Sequence, residues 1–176
     1  GSSYGNLGDH SGEMGNNLPA IDFGDGRLAT KISSRHAHTC AILNDHSIQC
    51  WGTNTYGQLG IDSTAAVGAN ANELTGSFQV KGIKCYGSSD DCSNNVTPID
   101  IFASSHHTCA IIQFDDKTHS ADSSVKQNKL KCWGYANNAS LGLGDSCSRG
   151  GNQTGTDNKG SVYRYTDNTS QYVCGQ

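Results

Sequence analysis

Short apolar runs separated by polar turns fill the central part of the chain. Residues 41–43 and 47–49 form two such runs around the polar turn 44–46, which is the pattern of a β-hairpin. A second pair of runs, which begin at residues 110 and 130, flanks a longer polar segment, Asp115 to Asn128. Gly, Asn and Ser interrupt every possible helical face. The pattern therefore predicts an all-β chain of short antiparallel strands.

The two hairpins are copies of one sequence unit. The first reads His38-Thr-Cys-Ala-Ile-Leu and then Ile48-Gln-Cys-Trp-Gly, and the second reads His107-Thr-Cys-Ala-Ile-Ile and then Leu130-Lys-Cys-Trp-Gly. We align the following block, Asn54 to Gly60, with Asn138 to Gly144, and we align Tyr4 to Gly8 with the end of that block. Units of this size bury their apolar faces by stacking on a neighbour, so the sequence predicts a repeat protein.

These elements resemble the regulator of chromosome condensation repeat, in which His-Thr-Cys-Ala, Cys-Trp-Gly and Tyr-Gly-Gln-Leu-Gly recur. The resemblance covers Ile32 to Asp62, Ile101 to Asp145, and Tyr4 to Asp9 with the lead-in Leu18 to Asp22. It implies four-stranded blades, normally about seven of them closed into a propeller. Two full repeats and a fragment cannot close such a ring. We therefore expect propeller-like blades of short antiparallel strands in an incomplete, loop-rich and disulfide-stapled arrangement.

One repeat-type β unit is expected to span residues 1–176. Its parts are the tail of a preceding repeat with its lead-in (1–30), a repeat (31–62), an insertion with a lead-in (63–99), a second repeat (100–146) and a C-terminal extension (147–176). Extended structure is predicted at Ser77 to Lys84, and the alternation of the tail predicts strands at Ser161 to Tyr165 and Gln171 to Cys174.

The cysteines fit a disulfide framework. Cys40 and Cys50 are symmetric about the first hairpin turn, so they face each other across two antiparallel strands, and Cys109 and Cys132 repeat that placement. Cys85 and Cys92 bracket a small polar loop, and by elimination Cys147 pairs with Cys174, although spacing alone does not fix connectivity. No Cys-x-x-Cys occurs, which argues against a zinc ribbon or a thioredoxin-type site. Eight cysteines in 176 residues indicate an oxidising, extracellular compartment.

Composition and short motifs limit the classes of partner that the sequence predicts. Four N-glycosylation sequons, at Asn95, Asn138, Asn152 and Asn168, agree with secretion and predict N-linked glycans. A net charge of -4 without a basic cluster argues against binding to nucleic acid or to an anionic membrane surface. No apolar run approaches the roughly 20 residues of a membrane span. The start, Gly-Ser-Ser, shows no signal peptide, and a processed terminus and a cloning remnant both remain open.

Few residues are candidates for a catalytic or metal-binding role. His36, His38, His106 and His107 lie near cysteines, but the resemblance makes His38 and His107 part of the repeated framework, and matched Trp51 and Trp133 are expected to be core residues. Asp90, Asp91, Asn94 and Asn95 could hold calcium but lack the spacing of a calcium loop, so a solvated turn is the better interpretation. No nucleophile elbow, phosphate loop or zinc-protease motif occurs. We predict no enzyme, no catalytic residue, no metal and no cofactor.

Three functional hypotheses remain. The first is a structural subunit of an extracellular filament or ring, in which copies associate head to tail and complete one another's blade stack. The alternative is a secreted protein-binding module, an inhibitor or receptor fragment, that recognises another extracellular protein through the segments Ser63 to Asn94 and Asp115 to Asn128. The third is an exchange factor for a small GTPase, like the founding member of the family, which the cysteines and sequons disfavour.

Overall fold

Two small antiparallel sheets make up the folded part of the chain. A computed structural model describes residues 7–70, 72–75, 79–80, 96–115, 126–136 and 139–142. Within these residues the chain is all-β, as predicted, apart from two single turns of 3-10 helix, Gly15–Asn17 and Glu73–Thr75.

Each sheet consists of three strands in chain order, and we call the sheets the first and the second blade. The first blade comprises β1 (Ala29–Arg35), β2 (His38–Leu43) and β3 (Ile48–Gly52), and the second comprises β4 (Val96–Ala103), β5 (His107–Asp115) and β6 (Lys126–Gly134). The predicted hairpins are therefore present. The second hairpin has longer strands than expected, because Asp115 pairs with Lys126 and the Gln113 side-chain amide donates to Asn128 Oδ1 at 3.2 Å.

Alternation along β2 explains how the blades stack. His38, Cys40 and Ile42 face the second blade, whereas Ala41 and Leu43 lie on the other face against Phe23. The main core thus lies between the blades. It contains residues of both, namely Cys40, Ile42, Ile48, Cys50, Leu59, Ile61, Val67, Val80, Ile101, Ala110, Ile112 and Trp133.

The glycine of each Cys-Trp-Gly element has a steric role. Gly52 and Gly134 have φ of 103° and 107°, where side chains are rarely tolerated. A Cβ atom would lie 2.3 Å from Ala37 O at Gly52 and 2.6 Å from His106 O at Gly134. The same carbonyls accept hydrogen bonds from the next backbone N–H groups, those of Thr53 and Tyr135, at 2.8 and 2.9 Å. The glycine therefore lets β3 or β6 end against the neighbouring hairpin turn.

The outer edge of the first blade differs from the implied fourth strand. Val67 and Gln79 form isolated bridges with Gly52 and Gln49 of β3, and Val80 N donates to Ile48 O at 2.9 Å. Both bridging residues belong to the segment expected to be an insertion. Part of that segment is therefore the edge of the blade, because it satisfies the outer backbone groups of β3.

The loops that follow β3 and β6 share one backbone conformation. The N–H of residue 57 donates to the carbonyl of 54 and the N–H of 60 to that of 57, and the same two bonds link 136, 139 and 142. Positive φ values recur at Gly57 and Ala139, 76° and 56°. The structure thus aligns 54–60 with 136–142, two residues earlier than the sequence alignment with Asn138 to Gly144. Matching the glycines was misleading because Ala139 adopts the left-handed conformation.

The loop closed by Glu13 has the same carboxylate hydrogen bonds as the loop closed by Glu73. Gly8 and Gly68 both have φ of 100°. Glu13 Oε2 accepts from the N–H groups of Gly8 and His10 at 2.8 and 3.0 Å, and Glu73 Oε2 accepts from those of Gly68 and Asn70 at 2.6 and 3.1 Å. The expected match of Tyr4 to Gly8 with residues 56–60 lies mostly outside the described residues, and the hydrogen bonds at Gly8 resemble those at Gly68.

Candidate interaction faces of the blades

One backbone carbonyl joins the two blades. Gln58 O accepts a hydrogen bond from Thr108 Oγ1 at 2.9 Å and another from Trp133 Nε1 at 3.0 Å. His38 Nε2 lies 2.9 Å from the same Thr108 oxygen. All of these side chains are buried. We call this arrangement, the Gln58 carbonyl with His38, Thr108 and Trp133, the blade junction.

The junction fixes the tautomer of His38. The single hydroxyl proton of Thr108 is directed to Gln58 O, so His38 Nε2 must be the donor and His38 Nδ1 carries no proton. Nδ1 is buried and has no hydrogen-bond partner. Burial, reinforced by the nearby histidines 107, 106 and 36, lowers the pKa of His38 from 6.5 to about 4. Burial and His106 also lower the pKa of His107.

The lowered pKa of His38 predicts that the blade pair loses stability in acid. Unfolding restores a pKa near 6.5, so between about 6.5 and 4 the unfolded chain binds more protons than the folded chain. The His38 contribution is complete above pH 6.5 and decreases as the pH falls, by roughly 2 kcal/mol near pH 4. Urea unfolding at pH 7 and 4.5 measures it. A His38→Gln variant should lose most of this pH dependence, and an unchanged dependence would contradict the assignment.

A second set of polar contacts joins the inner strands. Lys31 Nζ donates to Ile99 O and lies 3.4 Å from Asp100 Oδ1, and Ala103 N donates to Ser33 Oγ at 2.8 Å. These contacts link β1 to β4. The blades are therefore held by apolar packing, the buried junction and a partly exposed ion pair.

Equivalent residues of the two repeats are buried to very different extents. Ile101 is 3% exposed between the blades, but its counterpart Ile32 is 65% exposed. Ile48 is 2% exposed, and its counterpart Leu130 is 65% exposed. We call the face of a blade that carries Ile32 or Ile101 its leading face, and the face that carries Ile48 or Leu130 its trailing face. The pair thus buries the leading face of the second blade and the trailing face of the first. Ile32 and Leu130 are exposed on the other two faces, and Phe23 covers Ala41 and Leu43 on the leading face of the first blade.

Four aromatic rings from both repeats meet at the ends of the hairpins. His36 and His106 have ring centroids 5.4 Å apart, and Tyr56 lies 5.3 Å from His106 and 4.5 Å from Tyr135. His36 is exposed and the other three are half-buried. Sequence reasoning identified both histidines but missed the tyrosines, because their approach depends on the stacking of the two blades.

The predicted structural residues have distinct roles. Cys40 and Cys50 form a disulfide with Cα atoms 4.0 Å apart, and Cys109 and Cys132 form the other at 4.1 Å. Trp133 is fully buried, whereas the matched Trp51 is half-buried against Phe23 at 5.8 Å between ring centroids. Several predictions lie outside the described residues: Cys85, Cys92, Cys147, Cys174, Asn95, Asn138, Asn152, Asn168, Asp90, Asp91 and the expected C-terminal strands.

Metal-ligating side chains converge at one place in the described residues. Asp9, His10 and Glu13 offer ligand atoms within 4.8 Å of one another. The Glu13 carboxylate already accepts backbone N–H groups of its loop, and Glu73 does the same in the equivalent loop, where hydrogen bonds from Asn70 and Gly68 lower the pKa of Glu73. The loop geometry accounts for Glu13, so we assign it a structural role.

Comparison with known proteins agrees with the repeat. Residues 30–58 match the Regulator of chromosome condensation (RCC1) repeat. The first blade is thus similar to an RCC1 repeat. The match covers β1 from its second residue, β2, β3 and the loop up to Gln58 of the blade junction. Among curated proteins, no sequence matches the chain.

Two solved RCC1 structures are similar to part of this chain at low identity. One is Prp20p from Saccharomyces cerevisiae, studied with its binding to Gsp1p and histones, at 14% identity and a TM-score of 0.42 over 71% of this chain. Another is the yeast RCC1 (Prp20) complex with Kap60, at 13% identity and a TM-score of 0.33 over 64% of this chain. This chain spans only 24% and 33% of those chains. None of the helices in the described ranges is long and apolar enough to cross a membrane.

Proposed function

We propose that the chain is a non-enzymatic, extracellular protein-interaction module that assembles with copies of itself through its blade faces. The exposed Ile32 carries the proposal, because its counterpart Ile101 is buried by the trailing face of the first blade. A large apolar side chain at a position that stacking buries elsewhere in the same molecule marks an interaction surface. Leu130, at the opposite end of the pair, supports a second surface of the complementary kind.

The proposal includes an extracellular compartment and the absence of catalytic activity. Two disulfides within hairpins support an oxidising compartment, and the four sequons support N-linked glycans. The histidines nearest to the cysteines are accounted for by packing, since His38 belongs to the blade junction and His106 packs between aromatic rings. We therefore assign them to the framework rather than to an active site.

Light scattering of the non-reduced protein, with negative-stain images, tests the proposal. We expect particles of several times 18.6 kDa that form rings or fibres. Ile32→Asp should shift the mass towards the monomer, because a carboxylate would have to be buried at the contact, while Ile32→Val should preserve the assembly. A stable wild-type monomer would refute self-assembly.

A second candidate is a binding module for another extracellular protein. The four-ring group of His36, Tyr56, His106 and Tyr135 favours it, since tyrosines are enriched at protein interfaces. A wild-type protein that is a stable, folded monomer would support this candidate over the first.

A further inference from the structure

The chain carries both halves of the blade junction a second time, and each duplicate half lies at an outer end of the pair. On the leading face of the first blade, Thr39 and Trp51 occupy the positions that Thr108 and Trp133 occupy in the second. On the trailing side of the second blade, His107 and the Ser140 carbonyl occupy the positions of His38 and the Gln58 carbonyl. Resting on the proposed self-assembly, we infer that these halves join head to tail between copies.

The donors of the outer leading face, Thr39 and Trp51, are half-buried, whereas Thr108 and Trp133 are fully buried. Trp133 Nε1 is bonded to Gln58 O in the preceding blade, whereas Trp51 is half-buried and contacts the ring of Phe23. Thr39 Oγ1 has an exposed neighbour, Ser34 Oγ, at 2.9 Å. The joint places Trp51 Nε1 and Thr39 Oγ1 of one copy on Ser140 O of the next, with His107 Nε2 on Thr39 Oγ1.

The acceptor at the other end is preformed. The loop around Ser140 has the hydrogen bonds of the loop around Gln58, with N–H donation from 139 to 136 and from 142 to 139. Leu141 is buried as Leu59 is, and Ser140 is exposed. The two shared turn hydrogen bonds place Ser140 O at the position in its loop that Gln58 O has in the first.

Charge complementarity favours a second copy of this chain as the occupant. Lys31 lies 3.4 Å from Asp100 between the blades, and these two residues hold equivalent positions before Ile32 and Ile101. In a head-to-tail joint, Asp100 of one copy takes the place of Lys31 and faces Lys31 of the next. Opposite charges then alternate along the stack, and no like-charge contact arises at these positions.

The segment that precedes the first blade agrees with this placement. Glu13 accepts backbone hydrogen bonds in its loop as Glu73 does beside Val67, and Val67 bridges Gly52 of β3. Leu7 is exposed, whereas its counterpart Val67 is buried and pairs with Gly52. In the joint, this segment takes the place of the outer edge of the preceding copy's second blade. A head-to-tail contact of this kind is heterologous, and it closes into a ring or continues as a filament.

Two end-blocked variants test the joint directly. Ile32→Asp blocks only the leading end and Leu130→Asp only the trailing end, and both residues are exposed, so each variant should keep the wild-type circular dichroism spectrum. Each alone should be a monomer, and an equimolar mixture should form a dimer and no larger species in sedimentation velocity. A mixture that stays monomeric while the wild type assembles overturns the joint and leaves self-assembly intact, whereas a monomeric wild type overturns both.

The register of the joint is tested in the same mixture. In the Leu130→Asp partner, whose leading face is in use, Thr39→Val or Trp51→Phe should weaken the dimer about tenfold, because each removes one buried hydrogen bond. In the Ile32→Asp partner, whose leading face is already blocked, the same two substitutions should leave the dissociation constant unchanged. Equal effects in both partners, or none in either, would rule out the contacts of Thr39 and Trp51 with Ser140.

Discussion

Trp133→Ala is expected to be among the most destabilising single substitutions in the chain. Trp133 is fully buried between the blades and donates its indole N–H to Gln58 O at 3.0 Å. Truncation of a buried tryptophan removes its apolar contacts and leaves a cavity, at a cost of about 4 kcal/mol. It also leaves the Gln58 carbonyl with one partner fewer. Thermal melts of the non-reduced protein should show a midpoint lower by roughly 10 °C.

Trp51→Ala is the matched control, since both tryptophans follow the second cysteine of their repeat. Trp51 is only half-buried and its ring contacts Phe23. We expect less than half of the effect of Trp133→Ala on the free energy of unfolding. Equal destabilisation by the two substitutions would contradict the position that the structure gives to Trp133 at the contact between blades.

The difference between the tryptophans marks a limit of sequence reasoning. The repeat alignment correctly paired Trp51 with Trp133, because both occupy the same register against a threonine of the adjacent strand. It predicted the same role for both. Their burial differs because burial depends on whether another blade lies against the leading face, and a local pattern does not contain that information.

The first two disulfides could be predicted from the sequence, whereas the blade junction could not. The first two cysteine pairs could be predicted because hairpin symmetry places directly opposed residues close together. The blade junction could not, because its acceptor is the backbone carbonyl of Gln58 and any residue there would supply the same atom. The contact between Thr108 and His38 could not be predicted either, because it links residues far apart in the chain.

The glycine-rich loops show a different source of error. The sequence alignment placed Gly60 opposite Gly144, yet the hydrogen bonds and φ values place it opposite Gly142. Ala139 adopts a left-handed conformation with φ of 56°, which the alignment reserved for glycine. Backbone geometry was therefore preserved between the repeats where residue identity was not.

Cys40→Ser is expected to destabilise the protein about as much as Trp133→Ala. The Cys40–Cys50 bond joins residues 10 apart in sequence, and loss of such a cross-link releases about 3 kcal/mol of chain entropy in the unfolded state. Both sulfurs belong to the core between the blades, where Cys40 is fully buried. The serine hydroxyl would be buried among apolar side chains at a further cost. Urea unfolding without reductant measures the sum.

Cys109→Ser separates the two contributions. Its disulfide spans 23 residues, so chain entropy alone predicts a slightly larger loss than for Cys40. Cys109 is only half-buried, however, so its serine hydroxyl keeps contact with water. We expect the larger loss at Cys40, because burial outweighs the difference in loop length.

His46→Asn, at an exposed left-handed turn position, should change stability by less than about 0.5 kcal/mol. If Cys40→Ser were as harmless as that, the Cys40–Cys50 bond would not be part of the native fold.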